Sequence, residues 1–372
     1  MRNSIIITLI VIAINVQNTS AQYNIILRDS ISNEVIPFAH VLSKQGELIS
    51  LTDQNGFCQL QNNHSDLTLK IQHISYKSYI FSHLKPGKDT IILKMGPLEL
   101  QSIQVIGKPL NDNDYLVAKG YFRSYQLNDG VPKYFSDGII EYYFPIKTKN
   151  KRLAKINVLE HRTFKNEKLL ASDKQRGFNV SMESFGPPFL YKTPTIKNIE
   201  KDYQLSQING QETIYDHNLK IGSIAFDSVS KTAALNVDID YREREIVHKA
   251  FGYESRYDQE VFSEVYNPTS SDYHQNSYEN IQRVKQYRKL HFKQKSQKNF
   301  EVIEWVHEFY TLEKQYLSKD EFKEHELKEY SKVKYSSEYS TDFESKIAEM
   351  DIPELPESIS KSLTTILSIS KN

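Results

Sequence analysis

Tyr121-Phe122-Arg123-Ser124-Tyr125-Gln126-Leu127-Asn128-Asp129-Gly130-Val131-Pro132-Lys133-Tyr134-Phe135-Ser136-Asp137-Gly138-Ile139-Ile140-Glu141-Tyr142-Tyr143-Phe144-Pro145-Ile146 carries the decisive pattern. Residues 121–127 and 133–146 are rich in Tyr, Phe and Ile, which favour strands, and Asn128-Asp129-Gly130 between them is turn chemistry. The stretch predicts a β-hairpin. Further on, Leu235-Asn236-Val237-Asp238-Ile239-Asp240-Tyr241 alternates without a fault. That period places Leu235, Val237, Ile239 and Tyr241 against a core and turns Asn236, Asp238 and Asp240 toward water. Residues 283–295 predict another strand, with Arg283, Lys285, Lys289, Lys293 and Lys295 on one side and Val284, Leu290 and Phe292 on the other. Residues 299–310, with Trp305, predict the next.

Composition agrees with β-structure. Of 372 residues, 24 are Tyr and 18 Phe but only 13 Gly, and 47 basic residues balance 47 acidic ones. A balanced chain of average polarity is globular and does not select nucleic acid as its partner. The amino terminus differs from the rest. Arg2, an uncharged run over residues 5–14, and small residues Thr19-Ser20-Ala21 before Gln22 have the layout of a secretory signal peptide. Ten residues are too few to cross a bilayer, which needs roughly 20. No Cys follows the small residues, so no lipoprotein anchor is expected there. Export with one cysteine, Cys58, leaves no internal disulfide, and Cys58 fits a small buried residue in a strand.

Between residues 23 and 106, apolar runs at 23–28, 35–42, 57–60, 67–73, 79–82, 90–93 and 103–105 are separated by turns. This predicts an antiparallel sandwich of seven strands, with Leu67, Leu69 and Ile71 on one buried face. Thr52-Asp53-Gln54-Asn55-Gly56 is a tight turn; a calcium loop would need an oxygen ligand where Leu51 stands. The series Glu34-Val35-Ile36-Pro37-Phe38-Ala39-His40-Val41, Leu51 to Phe57, His73-Ile74-Ser75-Tyr76, Ile91-Ile92-Leu93 and Leu100-Gln101-Ser102-Ile103-Gln104-Val105 resembles the carboxypeptidase regulatory-like domain. The resemblance implies a transthyretin-like β-sandwich of the kind found in envelope proteins of Bacteroidota-type bacteria. Two departures, Ser75 for the usual Gly and Cys58 for a common Phe, keep the strand pattern. The rest of the chain, through Gly120-Tyr121-Phe122-Arg123 with the following hairpin and the strand meander, is similar to the half-barrel of outer-membrane lipoprotein-sorting proteins. That likeness brings no binding residues with it.

Catalytic motifs are scarce. No His is followed three residues later by Glu, and there is no His-Glu-x-x-His, so the zinc site of a metallocarboxypeptidase is not expected. The glycines lie at least eight residues apart, which removes the P-loop, G-x-G-x-x-G and the G-x-S-x-G elbow. Neither cofactor nor metal is expected. Ser331/Lys334, Ser358/Lys361 and Ser368/Lys371 match S-x-x-K without its companion motifs, and His325 between Glu324 and Glu326 fits a solvated helix face. The basic stretch 283–298 holds seven Lys or Arg and no acid. Arg283, Lys285, Lys289, Lys293 and Lys295 are candidates for an anionic surface, with pairing to Asp238 and Asp240 the alternative.

The expected architecture is therefore mainly β. Residues 1–21 form a signal peptide, 22–107 a seven-stranded sandwich, 108–350 a larger antiparallel β-rich domain, a half-barrel by its resemblance, and 351–372 a linker and short helix. Gly186-Pro187-Pro188-Phe189 and Pro194, within residues 165–200, predict a break or insertion in the sheet, which fits a lid or rim loop and equally an ordinary connection. Residues 319–332 predict an exposed charged helix, and 357–368 a terminal one. The expected function is non-catalytic binding of a lipid, lipoprotein, polysaccharide or other envelope protein in the periplasm or at the outer membrane. No nucleic acid and no transmembrane span in the mature chain are expected. The alternative is a hydrolase, or an accessory subunit of an envelope enzyme, whose site forms only in three dimensions.

Overall fold

The computed structural model describes residues 23–30, 33, 35–36, 39–43, 48–53, 55–60, 68–73, 76–82, 87–94, 105–106, 111, 114–146, 155–175, 184–190, 195–208, 211–227, 231–241, 247–250, 252–267, 272–295, 297–350 and 352–370. The expected leader 1–21, Leu67, Ile74, Ser75, residues 100–104, Pro194 and Lys371 lie outside them. The chain is mainly β and divides into two compact units, one ending at Lys94 and one containing all that follows together with Tyr76.

The first unit contains β1 (Tyr23–Asp29), β2 (His40–Ser43), β3 (Leu48–Leu51), β4 (Phe57–Leu60), β5 (Leu69–His73), β6 (Tyr76–Phe81) and β7 (Gly87–Leu93). They form two sheets, ordered β4-β1-β7 and β3-β2-β5-β6; β1 runs parallel to β7, where the sequence pattern predicts antiparallel pairing throughout, since short apolar runs do not encode strand direction. Alternation puts Ile25 and Leu27 of one sheet, and Val41, Leu69 and Ile71 of the other, fully out of solvent. The turn before β4 closes on Asp53, whose Oδ1 accepts from the backbone N–H of Asn55 and of Phe57, both at 2.8 Å. Gly56 there has φ 65°, and an added Cβ would lie 2.9 Å from the Leu27 carbonyl oxygen.

The second unit is built on one sheet of thirteen strands among the described residues. In chain order these are β8 (Val105–Ile106), β9 (Tyr115–Asn128), β10 (Val131–Pro145), β11 (Lys155–Lys165), β12 (Gln204–Ile208), β13 (Gln211–Asp216), β14 (Leu219–Asp227), β15 (Thr232–Asp240), β16 (Val247–Ala250), β17 (Tyr253–Tyr266), β18 (Ile281–Gln294), β19 (Glu301–Leu317) and β20 (Ser368–Ile369). The path is β12-β13-β14-β15-β17-β18-β19-β9-β10-β11-β20. Asn128 opposes Val131 with positive φ at Asp129 (49°) and Gly130 (78°), the two-residue turn whose twist suits a hairpin. β8 pairs parallel to Lys314–Gln315 of β19 and so belongs to this sheet, whereas the sequence pattern grouped 103–105 with the first segment.

Cross-strand register assigns the two faces. Phe122, Phe309 and Val284 align on one face, with Ile140 and Leu235, and form its apolar core. Arg123, Asp137, Glu308 and Lys285 align on the other. That second face is covered too. Phe343 packs on Tyr121, Ile139 and Tyr310, and Ile359 and Leu367 pack on Tyr125, Phe135 and Val306. The alternation argument fails in part further along the sheet. Leu235, Val237 and Ile239 are buried as expected, but Asn236 and Asp238 are also buried, at 8% and 5% exposure. Asp238 Oδ2 accepts from Gln259 Nε2 at 2.7 Å.

The expected helix over 319–332 is two short ones, Lys319–Glu324 and Tyr330–Val333. Between them the chain extends along β11: Val158 N donates to Lys328 O, and Lys328 N donates to Asn157 Oδ1, each at 2.9 Å. A free sheet edge offers backbone partners that a solvated helix does not, so pairing overrides local propensity. The terminal helix spans Glu357–Thr365, and β20 then pairs with Phe164 and Lys165 of β11.

Candidate ligand-binding groove

Three separated pieces of chain converge on a groove of about 860 Å³ in the second unit. Lys155 and Ile156 open β11, residues 184–189 form one wall, and residues 322–334 form the other. The two walls are anchored by aromatic side chains. Phe322 stacks on Tyr115 with ring centroids 4.0 Å apart and touches Tyr143 at 5.3 Å. Its short helix is set by a capping box between Ser318 and Glu321. Phe185 stacks on Tyr134 at 4.3 Å. Tyr330 stands edge-on to Phe122, and its hydroxyl lies 2.9 Å from Ser136 Oγ.

The wall at 184–190 is the break that Gly186-Pro187-Pro188-Phe189 announces. It lies down on the apolar face of the sheet, held by its backbone. Ser184 N donates to Gln126 Oε1 at 3.1 Å, Tyr142 OH donates to Pro188 O at 2.6 Å, and Tyr278 OH donates to Leu190 O at 2.8 Å. Gly186 N donates to Ser124 Oγ. His307 Nδ1 donates to Gly186 O at 2.9 Å, which leaves Nε2 as the acceptor for Ser184 Oγ at 3.2 Å. Burial brings His307 down to about 4, so the ring is neutral and suited to that pair of bonds. Gly186 has φ 117°, and a Cβ there would lie 2.2 Å from the Tyr330 ring; only glycine lets the two walls meet.

The lining combines apolar and basic side chains: Ile156, Phe185, Pro187, Phe189, Phe322 and Leu327 with Lys155, Lys323 and Lys334, beside His325 and one carboxylate, Glu329. Lys323 Nζ is itself paired with Asp320 Oδ1 at 2.7 Å. Lys334 Nζ lies 4.3 Å from the Phe185 ring centroid and Lys155 Nζ 5.1 Å from that of Phe322. Such cation–aromatic placement keeps the ammonium groups beside the apolar surface. Ser331 and Lys334, an S-x-x-K pair, both line the groove. Ser331 Oγ donates to Glu329 Oε2 at 3.4 Å while Lys334 lies over Phe185, so they are not arranged as nucleophile and base.

The basic strand residues lie elsewhere. Arg283 is buried at 4% exposure, Lys285 Nζ is 3.4 Å from Glu308 and Lys293 Nζ 3.7 Å from Glu254. Lys289 aligns with Gln259 and Glu304, and Lys295 follows the end of β18. The acids these lysines meet are on β19 and β17, the neighbours of β18. Asp238 and Asp240 are on β15, beyond β17. Arg123 pairs with Glu308 as well, and its Nη1 donates to Pro353 O at 2.5 Å. Burial alone would raise Glu308, but Arg123 and Lys285 together hold it at about 2. Sequence patterning marked the basic strand because its charges are contiguous. It could not mark the groove, whose basic residues come from positions 155, 323, 325 and 334.

Among the described residues no helix is long and apolar enough to cross a membrane. No protein-family model matches the chain, and no curated protein matches it.

Proposed function

We propose that this is a non-catalytic protein of the bacterial cell envelope, exported by its leader, in which a carboxypeptidase regulatory-like sandwich serves for docking and the second unit holds an amphiphile. The ligand is a lipid, or the acyl portion of a lipoprotein, with its chain in the groove and an anionic head at the groove's lysines. The carrying observation is the groove itself: apolar side chains from three segments lining one cavity together with Lys155, Lys323 and Lys334. Its volume lies within the roughly 300–1,000 Å³ of small-molecule sites. The half-barrel resemblance and the long antiparallel strands support the same reading.

The test is displacement of a fluorescent fatty acid from the full-length protein, with native mass spectrometry of material purified from its own envelope. Leu327→Asp and Lys334→Glu are each expected to weaken probe binding at least tenfold. The first places a charge on apolar surface, and the second removes a cation and opposes the anionic head. Probe affinity unchanged in both variants would overturn the assignment.

A further inference from the structure

Ser184 and Phe189 of the groove wall also line a second cavity, of about 380 Å³. Its floor is two adjacent rows of cross-strand neighbours. Ile239, Glu260, Arg288 and Trp305 follow one another across β15, β17, β18 and β19, and Phe262, Gln286 and His307 form the next row. Tyr203, Tyr241 and Asp202 complete the lining.

The chemistry is unlike that of the groove. Donors and acceptors are interleaved with aromatic faces. Arg288 pairs with Glu260, and Tyr241 OH donates to the other Glu260 oxygen at 3.2 Å. Trp305 is 4% exposed, and its indole Nε1 is buried with no hydrogen-bond partner among the described residues. An acyl chain would leave Gln286 and the carboxylates of Glu260 and Asp202 unmet. A phosphate would face Glu260 and Asp202 with a single guanidinium that is already paired. A sugar ring meets both demands: each hydroxyl donates and accepts, and its C–H faces pack on aromatic rings.

We propose that this cavity binds a saccharide ring, as the terminal residue of a glycan. Trp305 is the chain's one tryptophan, so its emission reports on the site directly. The full-length protein is titrated with the methyl glycosides of glucose, galactose, mannose and N-acetylglucosamine, followed by tryptophan fluorescence and saturation-transfer NMR. A saturable emission change with at least one glycoside is expected. It should weaken at least tenfold in Gln286→Ala, or in Tyr241→Phe should the first variant fold poorly by circular dichroism. The groove variant Leu327→Asp should leave it intact, which separates this site from the amphiphile reading. Absence of both emission change and saturation transfer with all four glycosides would sink the proposal, as would an undiminished response in a folded Gln286→Ala or Tyr241→Phe protein.

Discussion

His307 shows how one buried side chain joins the sheet to the wall it supports. Its neutral ring holds Gly186 and Ser184, and protonation would replace the Nε2 acceptor by a second donor inside a buried site. The folded value of about 4 lies below the ordinary 6.5, so the unfolded chain takes up the proton first. Stability is therefore complete above about pH 6.5 and falls as pH drops toward 4, by up to about 3 kcal/mol from this residue. His161, also lowered by burial, acts in the same direction. In His307→Asn, whose amide can still donate to Gly186 O, denaturant melts between pH 7 and 4.5 are expected to lose part of that slope. An unchanged slope would mean that another group carries it. Tyr, Phe and Trp were legible as strand residues from type and period. The placement of Trp305 at a cavity and of Asn236 and Asp238 in buried positions was not, because alternation separates two faces without saying whether the second is covered.

The carboxy-terminal segment is the element whose role the local pattern least disclosed. The helices Phe343–Ala348 and Glu357–Thr365 cover the charged face of the sheet, and β20 covers part of the β11 edge. An amphipathic helix is visible in sequence as a period; the surface that receives its apolar side is not. Ile359 is 1% exposed and packs with Tyr125, Phe135 and Val306, while Ile366 just beyond it is 46% exposed. Ile359→Ala should cost about 2–4 kcal/mol, and Ile366→Ala should stay within about 0.5 kcal/mol of the parent. Urea unfolding of the pair checks this; equal effects would mean that the helix does not dock as described.

The whole chain holds two units, each with its own sheets and buried residues. Calorimetry of the full-length protein should therefore resolve two transitions, with Ile359→Ala lowering only the one that belongs to the larger unit. A single transition shifted as a whole would contradict that division. The neutral net charge likewise resolves into pairs: Arg123 and Lys285 with Glu308, and Arg162 with Asp137, are buried or nearly so, while Glu344, which also meets Arg162, is exposed. The buried pairs cost desolvation that good geometry has to offset. By itself the sequence determined the β class, the 128–131 turn, the strands around 121–127, 133–146, 235–241, 283–295 and 299–310, and the chain break at 186–189, because periodicity and turn chemistry act over a few residues. Only the tertiary structure decided which faces are covered and how residues 155, 185, 322 and 334 meet in one groove. Those contacts span up to 179 positions of chain, and no local preference encodes them.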